Sequence, residues 1–257
     1  MGTPDPNNLY VGAGAVYFDR FDSAGLSTGL RHLGNVETLG LTASVETIDK
    51  KSSLDGARGT LKEVVIGSEA VLEILLSEYD SHNVALALFG TEALFNQASE
   101  PTVVDEDVNG GLDLVLDRWY PVNRLNITVT DLKEGLNSLI LNTDFEVNSE
   151  AGMVRIITGG AEIVVAINWS GSVAAMLTER KVDAMSVGKI EGRLRFQSAA
   201  DQAAGPRLIV DVWKTTINPD GAIQLINEEF GTFTLGGKVQ KDATRPVGEQ
   251  FFRAVYL

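Results

Sequence analysis

The sequence predicts a mainly β protein organised around one long hairpin, and three observations point that way. Two extended runs alternate apolar and polar residues with a period of two. Turn-forming residues recur about every ten positions, as in sandwiches and barrels. The chain of 257 residues holds 26 glycines, as a turn-rich β protein would. Its length fits one large domain, 1–257, able to bury a core unaided.

The hairpin is the strongest element. In 36–47 the odd positions Leu39, Leu41, Ala43 and Val45 are apolar, and the even positions Thr38, Gly40, Thr42, Ser44 and Glu46 are small or polar. In 64–76 the even positions Val64, Ile66, Ser68, Ala70, Leu72, Ile74 and Leu76 are apolar or small. Gly67, Glu69 and Glu73 stand opposite, mixed with Val65, Val71 and Leu75. Side chains of a strand alternate between faces, so each run offers one face to a core and one to water. Wet-sided strands this long suit a sheet that lines something open.

The remaining elements follow in order. Residues 1–10, with Pro4 and Pro6, read as an N-terminal arm, and a first strand is expected over 11–20. The hairpin strands are expected at 36–47 and 63–77. A helix is expected over 82–89, because Asp80 or Ser81 can accept the free amides of its first turn. Gly90 is placed to end it. Its apolar residues wrap most of the way round, so it should be buried against the sheet. Residues 103–116 read as two strands around an Asn109-Gly110 turn, a pair that tolerates positive φ. Strands then follow in LNITVTD, SLILNTDFEV, MVRIIT, AEIVVAINWS and KIEGRLRFQS. The last third offers RLIVDVWKTTI, a turn at Asn218-Pro219-Asp220-Gly221, AIQLI, EFGTFTLGGKVQ and a terminal FFRAVYL. That last segment suits a strand of its own subunit or one added to a neighbour's sheet.

Charge excludes one class and suggests another. The net charge is −14, which argues against holding nucleic acid through its phosphates but not against letting it pass. The sign is uneven. Over 49–62, four cations (Lys50, Lys51, Arg58, Lys62) face two carboxylates (Asp49, Asp55), giving net +2 and leaving −16 for the rest. A basic loop on an acidic body suits docking onto an acidic neighbour, including another copy. There is no cysteine, hence no disulfide framework. The N-terminus has neither the basic start nor the apolar stretch of a signal peptide, and no run reaches membrane-spanning length. The expected compartment is therefore cytosol-like, with no membrane anchor.

Several motifs carry little. Asp105, Asp107, Asn109 and Gly110 open like a calcium loop, but Leu116 stands where the bidentate Glu belongs. His32 and His82 lack metal-ligand spacing. No serine sits in a nucleophile elbow, and 12–18 lacks the glycines of a nucleotide fingerprint. Trp119, Trp169 and Trp213 lie in or beside strand runs and read as core or interface anchors. No cofactor, metal or catalytic residue is expected.

Segment 33–90, through LGNVETLGL, KKSSLDGARG and EYDSHNVALALFG, resembles the major tail tube protein of long, non-contractile-tailed (siphovirus-type) bacteriophages. The hairpin-like TDFEVNSEAGMVRII (143–157) and the stretch 192–242 add to the resemblance, while 93–140 departs most and reads as an insertion or variable region. The resemblance implies a tail-tube-type β-barrel or sandwich with a long β-hairpin and one short flanking α-helix, related to type VI secretion tube proteins. It implies a non-enzymatic homo-oligomer whose hexameric rings stack into a hollow tail tube in the virion, assembled in the host cytoplasm. Tape-measure and tail-end proteins would be its other partners, and DNA would transit without specific binding. It makes Thr38, Thr42, Ser44, Glu46, Glu69 and Glu73 candidates for the lumen. It makes 48–62 the inter-ring loop, with Lys50, Lys51, Asp55, Arg58 and Lys62 as contacts. A lumen of hydroxyls and carboxylates would repel DNA weakly, only within about a Debye length of 8 Å, and would offer it no adhesive site. The competing readings are a virion decoration or carbohydrate-binding β-sandwich module, and a hydrolase working through paired carboxylates.

Overall fold

The computed structural model describes residues 4–54, 56–158, 163–164 and 166–257. The chain is mainly β, with one α-helix among these residues. It divides into two compact units, Met1–Glu92 with Val182–Leu257, and Ala93–Lys181.

The first unit is an eight-stranded antiparallel sheet. Its strands in chain order are β1 (Gly14–Arg20), β2 (Arg31–His32), β3 (Val36–Lys51), β4 (Thr60–Leu76), β5 (Ile190–Ser198), β6 (Leu208–Asp220), β7 (Phe233–Val239) and β8 (Phe252–Tyr256). The spatial order is β2-β1-β5-β6-β7-β4-β3, and β8 pairs with β6. The alternation expected in β4 sets the core: Ala70, Leu72, Ile74 and Leu76 are buried, and Glu69, Val71 and Glu73 between them are exposed. Val16 and Phe18 of β1, Leu194 of β5, Val212 and Ile217 of β6, and Phe233, Leu235 and Val239 of β7 join the same cluster. One core shared by so many strands requires the sheet to curl on itself, as right-handed twist allows. The helix α1 (Ser81–Ala87) packs Leu86 and Ala87 against it.

Local chemistry fixes the ends of α1. The Asp80 carboxylate accepts from the Asn83 amide at 2.7 Å, as an N-cap should. Buried Asn83 donates to the Leu33 and Glu78 carbonyls, stitching the helix to the strand entrances. At the other end the left-handed backbone falls on Phe89 (φ 49) and not on Gly90, and the Gly90 amide reaches back to the Ala85 carbonyl at 2.7 Å. Gly90 is required for another reason: a Cβ there would lie 2.9 Å from the Asp183 carbonyl oxygen.

The second unit holds a four-stranded sheet, ordered Asn137–Ser138, Ile127–Glu134, Ile167–Val173 and Glu100–Asp107. It also holds a three-stranded sheet of Phe145–Asn148, Met153–Ile156 and Trp119–Pro121. Trp169, Leu132, Ile167, Val154 and Ile156 are buried in its core. The 143–157 hairpin forms, with Phe145 paired to Ile156. The stretch 93–140 lies within this unit.

Three expectations need correction. Asn109 (φ 56) and Gly110 (φ 62) do turn the chain, but Glu100–Asp107 pairs with Ile167–Val173 instead of the residues after the turn. Strand β6 runs on through Asn218, Pro219 and Asp220, and the chain turns only at Gly221 (φ 109). Residues 218–220 stay in register with Gly236, Leu235 and Thr234 of β7, so pairing outweighs local turn propensity. The AIQLI segment is not a strand: Ile223 is anchored on the core, but Leu225 and Ile226 are 87% and 96% exposed. The terminal FFRAVYL is a strand of its own subunit, β8 on β6.

Asp211, buried on β6, ties three strands. Its carboxylate accepts from Arg195 Nε at 2.6 Å and from Arg253 Nη2 at 3.2 Å. Burial works to raise its pKa, but the two guanidiniums outweigh burial and hold the carboxyl below the usual range. A depressed folded-state pKa adds stability that is fully present above the unfolded value of about 3.9 and is lost as pH falls through the folded value. Asp211→Asn should therefore cost about 1.5–3 kcal/mol near neutral pH. Denaturant melts across a pH series should show the gap to the wild type closing below about pH 4; a gap unchanged at lower pH would contradict this role.

Candidate functional site

The register of the long hairpin sorts its residues onto two faces. Ala43 pairs with Ala70, Leu41 with Leu72, and Leu39 with Ile74. Directly paired residues share a face; Leu39, Leu41, Ala70, Leu72 and Ile74 of these pairs pack in or against the core, while Ala43, on the same face, is exposed where the sheet leaves it. Between them Ser44 pairs with Glu69, Thr42 with Val71, and Gly40 with Glu73. The candidates Thr38, Thr42, Ser44, Glu46, Glu69 and Glu73 are all exposed on this second face.

The face does not stop at the hairpin. Register carries it from Val71 to Lys238 and on to Thr216, and from Glu73 to Gly236 and on to Asn218. Thr234 and Asp220 continue the row that begins at Leu75. Four adjacent strands therefore present one wall, mostly of hydroxyls, glycines, an amide and carboxylates, with Val71, Leu75 and Lys238 among them. Sequence reasoning left out β6 and β7, although Thr234-Gly236-Lys238 and Thr216-Asn218-Asp220 carry the same period-two signal. Two lysines on the body of the sheet are committed: Lys238 forms an ion pair with Glu69, and Lys214 lies 3.6 Å from Glu191. Glu191 is also bonded by Lys189, and these ammonium groups keep its carboxyl ionised below the usual range despite partial burial.

The inter-ring candidates are placed differently from expectation. The strands continue through Lys51 and resume at Thr60, so the loop is 52–59 and not 48–62. Lys50, Lys51 and Lys62 are strand residues, Arg58 lies in the loop with φ 46, and Asp55 lies outside the described residues. The reason is pairing: Ile48 opposes Val64, Asp49 opposes Glu63, and Lys50 opposes Lys62. From Thr42 to Lys51 and from Thr60 to Ile66 every residue is exposed. The hairpin leaves the body as a bare arm, with Val45, Ile48, Val64, Val65 and Ile66 all uncovered. Beside its base, Ala43, Val45, Ser68, Ala70, Phe251 and Phe252 line an apolar groove. Strand β3 is also an edge: it pairs with β4 alone, leaving one side of a 16-residue strand unmatched.

The other motifs are occupied internally. Asp105 is bridged by Lys133 at 3.0 Å, and Asp107 accepts from Asn168 at 2.8 Å. Trp169 is buried in the second core, and Trp213 stacks under Arg245 at 3.9 Å while donating to the Glu249 carbonyl. Trp119 is 39% exposed, with Arg155 over its ring. His82 lies 3.2 Å from Glu92. Among the described residues there is no group of three or more His, Cys, Asp or Glu placed to hold a metal, and no helix long and apolar enough to cross a membrane.

The two faces predict opposite responses to truncation. Leu72→Ala removes a fully buried side chain and should cost about 2–5 kcal/mol. Glu73→Ala, one residue on and exposed, should stay within about 0.5 kcal/mol. Equilibrium unfolding of the two variants checks the assignment; similar losses would refute it.

No curated protein matches the chain. A family model described as a protein of unknown function, UCP028589, matches residues 9–255, nearly the whole chain, and the chain belongs to that family.

Proposed function

We propose that this protein is the structural subunit of a hollow tube, of the kind formed by siphovirus tail tube proteins, through which DNA passes into a host. The observation that carries the proposal is the wall on β3, β4, β7 and β6, ending at the unmatched edge of β3. A long exposed edge strand is a template for pairing with another chain. Pairing it with the far edge of the next copy would extend the wall from copy to copy, and closure into a ring would abolish the edge. Six copies per ring, stacking of rings, contact with tape-measure and tail-end proteins, and location in a virion tail complete the reading. The fold is then of the tail-tube type, related to type VI secretion tube proteins, and the protein has no catalytic task.

The wall suits a conduit. DNA carries about one negative charge per 1.7 Å of axis. Free cations along a bore would hold it; here Lys238 and Lys214, on the body of the sheet, are paired to carboxylates. The bare arm supports assembly independently. Large apolar side chains exposed on an isolated hairpin are a liability unless a partner covers them.

Concentrated protein viewed by negative-stain microscopy should show rings or tubes with a central hole. Discrete monomers at every concentration would sink the proposal. Glu46→Lys with Glu73→Lys should leave tube formation intact and slow genome delivery. Glu69 is left unchanged in this variant because Lys238 already engages it. Delivery at the wild-type rate would remove wall charge from the mechanism.

A further inference from the structure

We infer that the arm of one copy lands on the loop between β6 and β7 of the next copy. This rests on the tube reading and adds to it the surface that receives the arm. That loop, residues 221–232, carries Leu225, Ile226 and Phe230 at 87%, 96% and 99% exposure, with Glu228 and Glu229 among them. Ile223 pins its start to the core, and the Tyr79 hydroxyl donates to the Thr232 carbonyl at 3.4 Å near its end. Between two anchored ends, the loop holds three large apolar side chains out of its own core.

The arm presents the complementary surface. Ile48 and Val64 are directly paired, and Lys50 and Lys62 are the next pair on the same face. Like charges directly opposite each other destabilise a hairpin. Among the described residues neither lysine has a carboxylate within ion-pair distance. An apolar pair followed by two unmatched ammonium groups fits an apolar-and-acidic loop, and Leu225, Ile226 and Phe230 with Glu228 and Glu229 make such a loop.

One copy cannot satisfy itself. The loop joins β7 where Thr234 pairs with Leu75, at the base of β4, while the arm's tip begins at Thr60. About fifteen residues of extended strand separate them, roughly 50 Å at 3.3 Å per residue. Complementary patches at opposite ends of one body make a head-to-tail contact, and such contacts generate rings or open filaments instead of closed pairs.

The test compares polymerisation of the full chain in wild-type form with three charge variants. Lys50→Glu with Lys62→Glu, and separately Glu228→Lys with Glu229→Lys, should each raise the critical concentration about tenfold or more. Because all four side chains are exposed, thermal melts of the unassembled variants should match the wild type. Combining the four substitutions should restore assembly. Phe230→Ser should weaken it without shifting the melt. The inference fails if either charge pair polymerises like the wild type, or if the fourfold variant remains as defective as its parents. Wild-type protein that never polymerises would overturn the tube reading itself, and this contact with it.

Discussion

Everything in the first unit depends on the phase of one alternation. Ala70, Leu72, Ile74 and Leu76 enter the core, where they join Phe233, Leu235 and Val239 of β7. Once they do, Glu69, Val71 and Glu73 have no choice of side, and pairing fixes Thr42, Ser44 and Gly40 beside them. A slip of one residue would bury Glu69 and Glu73 without partners and expose two leucines and an isoleucine. The wall is therefore a by-product of core packing. The physical forces that fold the subunit also determine what its open face is made of.

The arm shows the reverse logic. Beyond Ala70 the same strands continue with no core to bury against, yet the apolar residues persist at Val45, Ile48, Val64 and Ile66. Nothing inside the chain stabilises their exposure. The like-charged pairs Lys50–Lys62 and Asp49–Glu63 sharpen the point, since two adjacent cross-strand pairs of opposite sign put a cationic face and an anionic face back to back. A free hairpin gains nothing from such a pattern, whereas a hairpin held between neighbours can match each face separately.

Much of this was legible in the sequence, for physical reasons. Period-two alternation in 36–47 and 64–76 is unambiguous because those strands have one dry and one wet face. The Asp80 cap was readable because its chemistry is local. Boundaries at the tip were not: Lys50, Lys51 and Lys62 read as loop because charge suggests solvent, yet backbone pairing in the arm needs no buried side chains. The Asn218-Pro219-Asp220-Gly221 turn misled because β7 supplies partners that no local signal announces. AIQLI read as a strand for the opposite reason, since its hydrophobicity serves no core of its own. The extension of the wall across β6 and β7 was available in the alternation of TLGGKV and TTINPD, but only register shows that these rows join the hairpin's.

The central claim is that the hydroxyl-and-carboxylate face of β3, β4, β7 and β6 surrounds a bore. A cryo-microscopy map of assembled protein at side-chain detail tests it directly. The account predicts Thr42, Ser44, Glu73 and Asn218 facing the hole, with Leu41 and Leu72 inside each subunit's core. A map in which this face lies on the outer surface, or in which Leu39 and Leu41 line the channel, would contradict it.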